Sequence, residues 1–282
     1  MHPAHHDLNH LSSDIPSSHN GMVSEVEIIE YNGEPTKKIS PLVRESSLCI
    51  RLNGKPVVTL LCSDSGREYL AIGFLAMEGF IQPDEMESVR ITGIDAERID
   101  IEAPCGSNAP CKDEVTRTPG LGRGVTFSTG EERLALVKIA SSQGISPAQV
   151  FGLMEGLFVR STLYKMTHGV HNAALCRPDE IEIFHFDLGR HNAIDKLYGQ
   201  CLLEKRACAD RIIVTSGRIS SEMLVKAGVM GVPLLISRSA PTDRAVMLAR
   251  MIGLTLVGRA QENRFVVYSH PERIIPSHPG TP

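Results

Sequence analysis

The chain has no tryptophan, and only 5% of its 282 residues are aromatic. Surfaces that stack unpaired bases need aromatic faces, and membrane proteins carry aromatic belts at both interfaces. Neither is expected here. Charge of one sign is also missing: 29 Lys and Arg stand against 33 Asp and Glu, a formal net charge of −4. Such a balance provides no bulk field for gathering polyanions, so nucleic acid is not an expected partner. The longest apolar run, Tyr69 to Met77, is bounded by Glu68 and Glu78 and is far too short to span a bilayer. Paired metal-type cysteine spacing is absent as well. None of Cys49, Cys62, Cys105, Cys111, Cys176, Cys201 and Cys208 forms a Cys-x-x-Cys pair, which removes the zinc ribbon. An odd number leaves one unpaired, and no basic and apolar signal opens the chain. Free thiols in a reducing cytoplasm are the expectation.

What is present is a globular composition, 42% hydrophobic, on a length that at about 150 residues per domain suggests two domains or one large one. Residues 1–24 carry His2, His5, His6, His10 and His19 among polar residues and read as a disordered tail rather than a metal collector. Residues 25–130 read as a β-rich part. Val26 and Ile28 alternate with polar residues; Leu48 to Leu52 and Val57 to Leu61 flank Asn53-Gly54, a hairpin signal that Lys55-Pro56 is expected to lengthen. Asp64 is placed to cap a helix whose residues Leu70, Phe74, Leu75 and Met77 lie largely on one face, and Gly79 ends it.

Residues 103–130 hold Pro104, Gly106, Pro110, Pro119, Gly120, Gly122, Gly124 and Gly130. A loop of that length usually serves function. Ser128-x-x-Glu131 and Ser146-Pro147-Ala148-Gln149 are capping-box signatures for two connecting helices. Residues 131–270 read as an α/β domain, and 271–282 as a C-terminal tail. Strands are expected at Ile181 to Asp187, Arg211 to Thr215, Pro233 to Ser237, Leu254 to Val257 and Phe265 to Tyr268. Helices alternate with them at Arg190 to Cys208, Ser220 to Val229 and Thr242 to Ile252. That alternation predicts a largely parallel sheet covered on both faces, with ligands outside the carboxyl ends of its strands.

Two strand-end turns are rich in donors. Asp187, Gly189, Arg190, His191 and Asn192, with Asp195 and Lys196 one turn later, form one; Thr215-Ser216-Gly217-Arg218 forms the other. Free N–H groups at a helix start together with basic side chains favour a phosphate-bearing ligand. His168, His171, His185 and His191 raise zinc as an alternative. The pattern is similar to zinc deaminases, yet their His-x-Glu and Pro-Cys-x-x-Cys elements are missing, so no metal is expected.

The stretches Phe74-Leu75-Ala76-Met77-Glu78-Gly79, Asp187 to Lys196 and Ser216 to Met223, followed by Gly231-Val232-Pro233 and Ser239-Ala240-Pro241-Thr242, resemble the FdhD family of formate dehydrogenase accessory sulfurtransferases. The likeness runs in order from about Ile39 to His270. It implies a cytidine-deaminase-like α/β three-layer sandwich without zinc, plus a smaller β-rich N-terminal domain. It also implies sulfur transfer from a cysteine desulfurase to the molybdenum bis(molybdopterin guanine dinucleotide) cofactor destined for formate dehydrogenase, and a homodimer. Gly189, Arg190, His191, Ser216, Arg218 and the turn Arg259-Ala260-Gln261-Glu262-Asn263-Arg264 become the candidate cofactor-binding residues.

The same likeness asks for an accessible thiolate in the 103–130 loop, because only a thiolate attacks or holds transferable sulfur. Relatives carry there a Cys-x-x-Cys pair or a cysteine within Gly-Cys-Gly-x-Gly before Thr-Phe; here Gly120-Leu121-Gly122-Arg123-Gly124-Val125-Thr126-Phe127 has leucine in its place. Cys105 and Cys111 are the substitute catalytic candidates, and a non-catalytic paralogue that binds the cofactor without transferring sulfur is the alternative. Two further departures are Arg259 in place of an aromatic residue, with Glu262 bringing negative charge to an anion-binding turn, and Phe186 where relatives have an acid.

Overall fold

The computed structural model describes residues 19, 21–104, 116–117, 134 and 137–275. The Ser128-x-x-Glu131 signature lies outside them. Strands β1 (Val23–Asn32) and β2 (Glu34–Val43) form an antiparallel ribbon that turns at Gly33, φ 85°. His19, assigned to the tail from sequence, is buried at the ribbon's base, its Nε2 2.7 Å from Thr162 Oγ1.

Strands β3 (Ser46–Leu52) and β4 (Lys55–Cys62) are joined by Asn53 and Gly54 alone, both left-handed at φ 51° and 77°. This is the geometry that a two-residue hairpin turn demands. Lys55-Pro56 does not lengthen the loop. Pro56 lies in β4 opposite Arg51, where a register shift accommodates the residue that cannot donate. With β5 (Arg90–Ile94), β6 (Arg98–Glu102) and β7 (Thr116–Arg117) they make a five-stranded sheet in the order β5-β6-β3-β4-β7.

Helix α1 (Arg67–Met77) starts from Gly66 in a left-handed conformation with no side-chain cap, and Asp64 pairs with Arg67 instead of capping. The expected single apolar face is also too narrow a description. All eight residues from Leu70 to Met77 are buried, because α1 lies between the five-stranded sheet and a second helix, which makes it apolar all round.

Helix α2 (Pro147–Arg160) carries the expected capping box, with Gln149 N donating to Ser146 Oγ at 3.3 Å and Ser146 N to Gln149 Oε1 at 2.8 Å. A short helix α3 (Thr162–Thr167) follows. Then come β8 (His171–Arg177), β9 (Glu180–Asp187), α4 (Arg190–Leu203), β10 (Ile212–Thr215), α5 (Ser221–Met230), β11 (Leu234–Ser237), α6 (Asp243–Ile252), β12 (Thr255–Gln261) and β13 (Arg264–Ser269). Helix α4 stops short of Cys208, and Lys205 at φ 53° reverses the chain.

The six-stranded sheet has the order β13-β12-β11-β10-β8-β9 and is mixed, not largely parallel. Only β10–β11 and β11–β12 are parallel pairs. The cause is β8, which the sequence pattern did not reveal as a strand. Its run His171-Asn172-Ala173-Ala174-Leu175-Cys176 has small residues at its centre, and it inserts between β9 and β10 as the antiparallel partner of both. Helices α4, α5 and α6 cover one face and α2 the other, so the expected three-layer α/β sandwich with a smaller β-rich part is present. Among the described residues no helix is long and apolar enough to cross a membrane.

Helices α1 and α4 meet through backbone. A Cβ on Gly73 would lie 1.8 Å from Asp195 O, and one on Gly199 would lie 1.9 Å from Tyr69 O. Glycine inside a helix costs about 1 kcal/mol relative to alanine, and here that cost permits a crossing no other residue allows. Gly199→Ala should therefore destabilise by more than about 3 kcal/mol, lowering Tm by roughly 6–12 °C. Gly152→Ala on α2, where a Cβ meets nothing within 4 Å, should be neutral or stabilising by up to about 1 kcal/mol. Thermal unfolding of the two variants checks the contrast.

Candidate functional site

Strands β9 to β12, with β8 interposed, direct four carboxyl ends and the start of β8 to one edge of the sheet. Hydrogen bonds stitch the turns there together. Ser216 N donates to Asn172 O and Asn172 N to Ser216 Oγ, both at 3.0 Å; Gly217 N donates to Thr215 Oγ1 at 3.2 Å. Ser237 Oγ donates to Gly217 O at 2.7 Å, Ser239 Oγ to Ser216 O at 3.1 Å, and Arg259 N to Ser239 O at 3.0 Å. These bonds tie the 216–218 turn to 172 and, through 239, to 259, and the 189–192 turn packs against it where Arg190 lies over Gly217.

Gly189 opens α4 without a capping side chain, so the first-turn N–H groups present partial positive charge to this edge. Arg190 lies across Gly217, where a Cβ would come within 2.9 Å of the Arg190 Cβ. The Arg190 Nε is buried and has no hydrogen-bond partner. Burial, and then the neighbouring Arg218, hold the Arg190 guanidinium below its usual range. Burial also depresses His171 and His191, with Arg190 adding to the effect in both. Ionised Arg190 and exposed Arg218 therefore face the edge beside two imidazoles whose protonation burial disfavours. His191 Nε2 stands 3.2 Å from Glu222 Oε2 on α5, and the imidazole holds the Glu222 carboxyl below its usual range.

Beneath the turn, residues that the sequence grouped with the site are core. Lys196 and Asp187 are fully buried and 2.6 Å apart. The Lys196 ammonium also donates to Ser63 Oγ at 3.0 Å and Phe186 O at 3.1 Å, using all three of its protons. Asp187 accepts from Ser63 N, Gly189 N and Asn192 Nδ2 at 3.2, 3.2 and 2.9 Å. Asn192 spends its other proton on Leu61 O at 2.9 Å. Asp195 is likewise buried, paired with Lys226 at 2.5 Å, and burial pushes its carboxyl up to about 6. These groups position the donor-rich turn. Ser63 had no sequence signal, because its partner Asp187 is remote in the chain.

In the turn 259–264, Arg259, Gln261, Glu262, Asn263 and Arg264 are exposed at the tip of the β12–β13 hairpin, while Ala260 is buried against the α2 face. Arg259 is left-handed at φ 53°, in a region rare for a residue with a side chain. The four histidines separate. His168 ends α3 against the Tyr164 ring, and His185 is half-buried beside Tyr69 with Nε2 2.7 Å from Gln200 Oε1, partial burial lowering it to about 4. Among the described residues no three His, Cys, Asp or Glu side chains stand together as metal ligands.

Burial raises the Cys62 and Cys176 thiols to about 12; Cys201 and Cys208 are buried free thiols hydrogen-bonded to each other. Cys105, Cys111 and Leu121 lie outside the described residues. Their loop is represented by β7, which pairs in parallel with β4 at Thr59 and Leu60, just upstream of Ser63.

Removing the ammonium by Lys196→Met leaves the Asp187 charge buried without its cation. Urea unfolding should register a loss of about 3–5 kcal/mol, partly recovered in the Lys196→Met/Asp187→Asn double variant. A loss below about 1 kcal/mol would contradict the positioning role.

The chain is similar to proteins whose described function concerns sulfur. It is 40% identical over 247 residues to the sulfur carrier protein FdhD of Bacillus subtilis (strain 168), covering 86% of this chain and 93% of that one. Against the protein of the same name from Staphylococcus haemolyticus it is 36% identical over 250 residues, covering 88% and 95%. Among solved structures, one assigned as a formate dehydrogenase accessory protein of Desulfotalea psychrophila superposes with a TM-score of 0.74 at 24% identity. That match covers 90% of this chain and all of the other, and it supports the fold. The FdhD/NarQ family model matches residues 43–275. With a match spanning both sheets and the donor-rich edge, the chain belongs to the FdhD/NarQ family.

Proposed function

We propose that this chain is an accessory sulfur carrier in formate dehydrogenase maturation. It holds the molybdenum bis(molybdopterin guanine dinucleotide) cofactor as cargo at the carboxyl edge of the six-stranded sheet and passes on sulfur received from a cysteine desulfurase. The observation that carries this reading is the half-buried Arg190, its Nε unpartnered, set beside Arg218 at the uncapped start of α4. Guanidinium groups at a helix N-terminus match the geometry and charge of a pyrophosphate. Gly189, His191 and Ser216 complete the wall, and the 259–264 turn extends it with Arg259 and Arg264. The relatives named as sulfur carriers, matched along nearly their whole length, support the same reading.

The first transfer needs one thiolate on this chain. It attacks the terminal sulfur of the desulfurase persulfide, the donor leaves as a thiolate, and the sulfur moves with no outside redox partner. Buried, protonated Cys62 and Cys176 are unsuited to that attack. Cys105 and Cys111 are the carriers in this proposal. Leucine at position 121, where relatives have the sulfur-bearing cysteine, favours a second reading. In that reading the chain binds the cofactor and does not transfer sulfur.

Incubation with a cysteine desulfurase and cysteine, followed by intact-mass measurement, separates the two. Sulfur transfer predicts a gain equal to one sulfur atom that disappears in Cys105→Ser or Cys111→Ser; an unmodified protein that still binds GDP supports the second reading. In calorimetry, Arg190→Ala should weaken GDP binding about 10–100-fold, the loss of a charge-assisted contact. Unchanged affinity in that variant would remove the anion site from this edge.

A further inference from the structure

Glu222 is a carboxylate brought to the basic edge from a different helix. It sits in the first turn of α5, with its side chain 23% exposed, and its Oε2 is 3.2 Å from His191 Nε2, itself 17% exposed. Helix α5 does not need it as a cap, because Ser220 Oγ accepts from Met223 N at 3.4 Å. Lys226, the cation one turn along α5, is taken by Asp195 at 2.5 Å. The positive groups acting on Glu222 are therefore His191, when protonated, then the paired Lys226 and Arg190. Arg190 carries a buried nitrogen that no hydrogen bond satisfies. The Glu222 carboxylate therefore offsets positive charge at the edge from a position beside His191.

We propose that Glu222 is a built-in counter-ion of the anion site, resting against His191 and within the field of Arg190 in the empty protein, and displaced when phosphate oxygens arrive. This rests on the anion-site reading above and extends it to release. A phosphate seated on Arg190 and His191 comes close to Glu222, and like charges brought together in a half-buried setting repel. Cargo is thereby held less tightly than the arginines alone would hold it, which suits a carrier that must hand its load on. The neighbours that shape the balance are His171 from β8, Asp187 ending β9, Arg218 from the β10–α5 turn, and the Lys226–Asp195 pair.

The test is calorimetric titration of the full chain with GDP, and with inorganic pyrophosphate as a smaller probe, for wild type, Glu222→Gln and Glu222→Asp. Glu222→Gln should bind both at least about tenfold tighter, with slower dissociation in stopped flow. Glu222→Asp, its charge drawn back by one methylene, should fall between. The empty Glu222→Gln protein should melt lower than wild type, and saturating pyrophosphate should close that gap. An acid that serves only the α5 dipole predicts lower stability with unchanged affinity, and equal affinities in all three proteins would overturn the counter-ion role while leaving the anion site intact. Absence of binding in every variant would overturn the anion site and this proposal together.

Discussion

The fully buried Lys196–Asp187 pair is the constraint around which the rest of the molecule is arranged. Two charges removed from water survive only when their remaining hydrogen-bonding capacity is met, and here three elements share that task. Ser63 comes from the end of β4, Phe186 O and Asp187 from the end of β9, and Lys196 and Asn192 from the first turns of α4. The network therefore locks the five-stranded sheet to the six-stranded one. It also fixes the backbone from Asp187 to Asn192, from which Arg190 and His191 project toward the proposed ligand.

Packing enforces the same arrangement from the far side. Helix α1 belongs to the N-terminal part by sequence, yet it is buried against α4 with Gly73 and Gly199 at the crossing. Close backbone approach leaves little freedom for α4 to slide, so the helix that opens the anion-facing turn is held at its start by ion pairing and along its length by contact. A rigid scaffold beneath a donor-rich edge limits the reorganisation needed on binding.

Much of this was legible in the chain itself. Asn53-Gly54 specified its turn, Ser146 to Gln149 its cap, and the β9-to-β13 alternation most of its strands and helices, because those signals depend on neighbours in sequence. β8 escaped notice because Ala173 and Ala174 carry little strand propensity on their own and become strand by filling a gap between β9 and β10. Asp187, Asn192, Asp195 and Lys196 read as exposed polar residues of a site and are core. Polarity alone does not distinguish a solvated charge from a buried one whose partner is remote in the chain.

By itself the sequence determined the family, the layered α/β class and the cluster of Gly189, Arg190, His191, Ser216 and Arg218 at strand ends, since motif order and periodicity are local properties. It also determined the chemical anomaly of Leu121, a matter of composition that no fold can repair. Only the tertiary structure decided which of those polar residues face the edge and which are buried to support it. It alone brought Ser63 to Asp187 and Glu222 to His191. Burial and charge pairing are relations between distant residues, and they exist only once the chain has closed on itself.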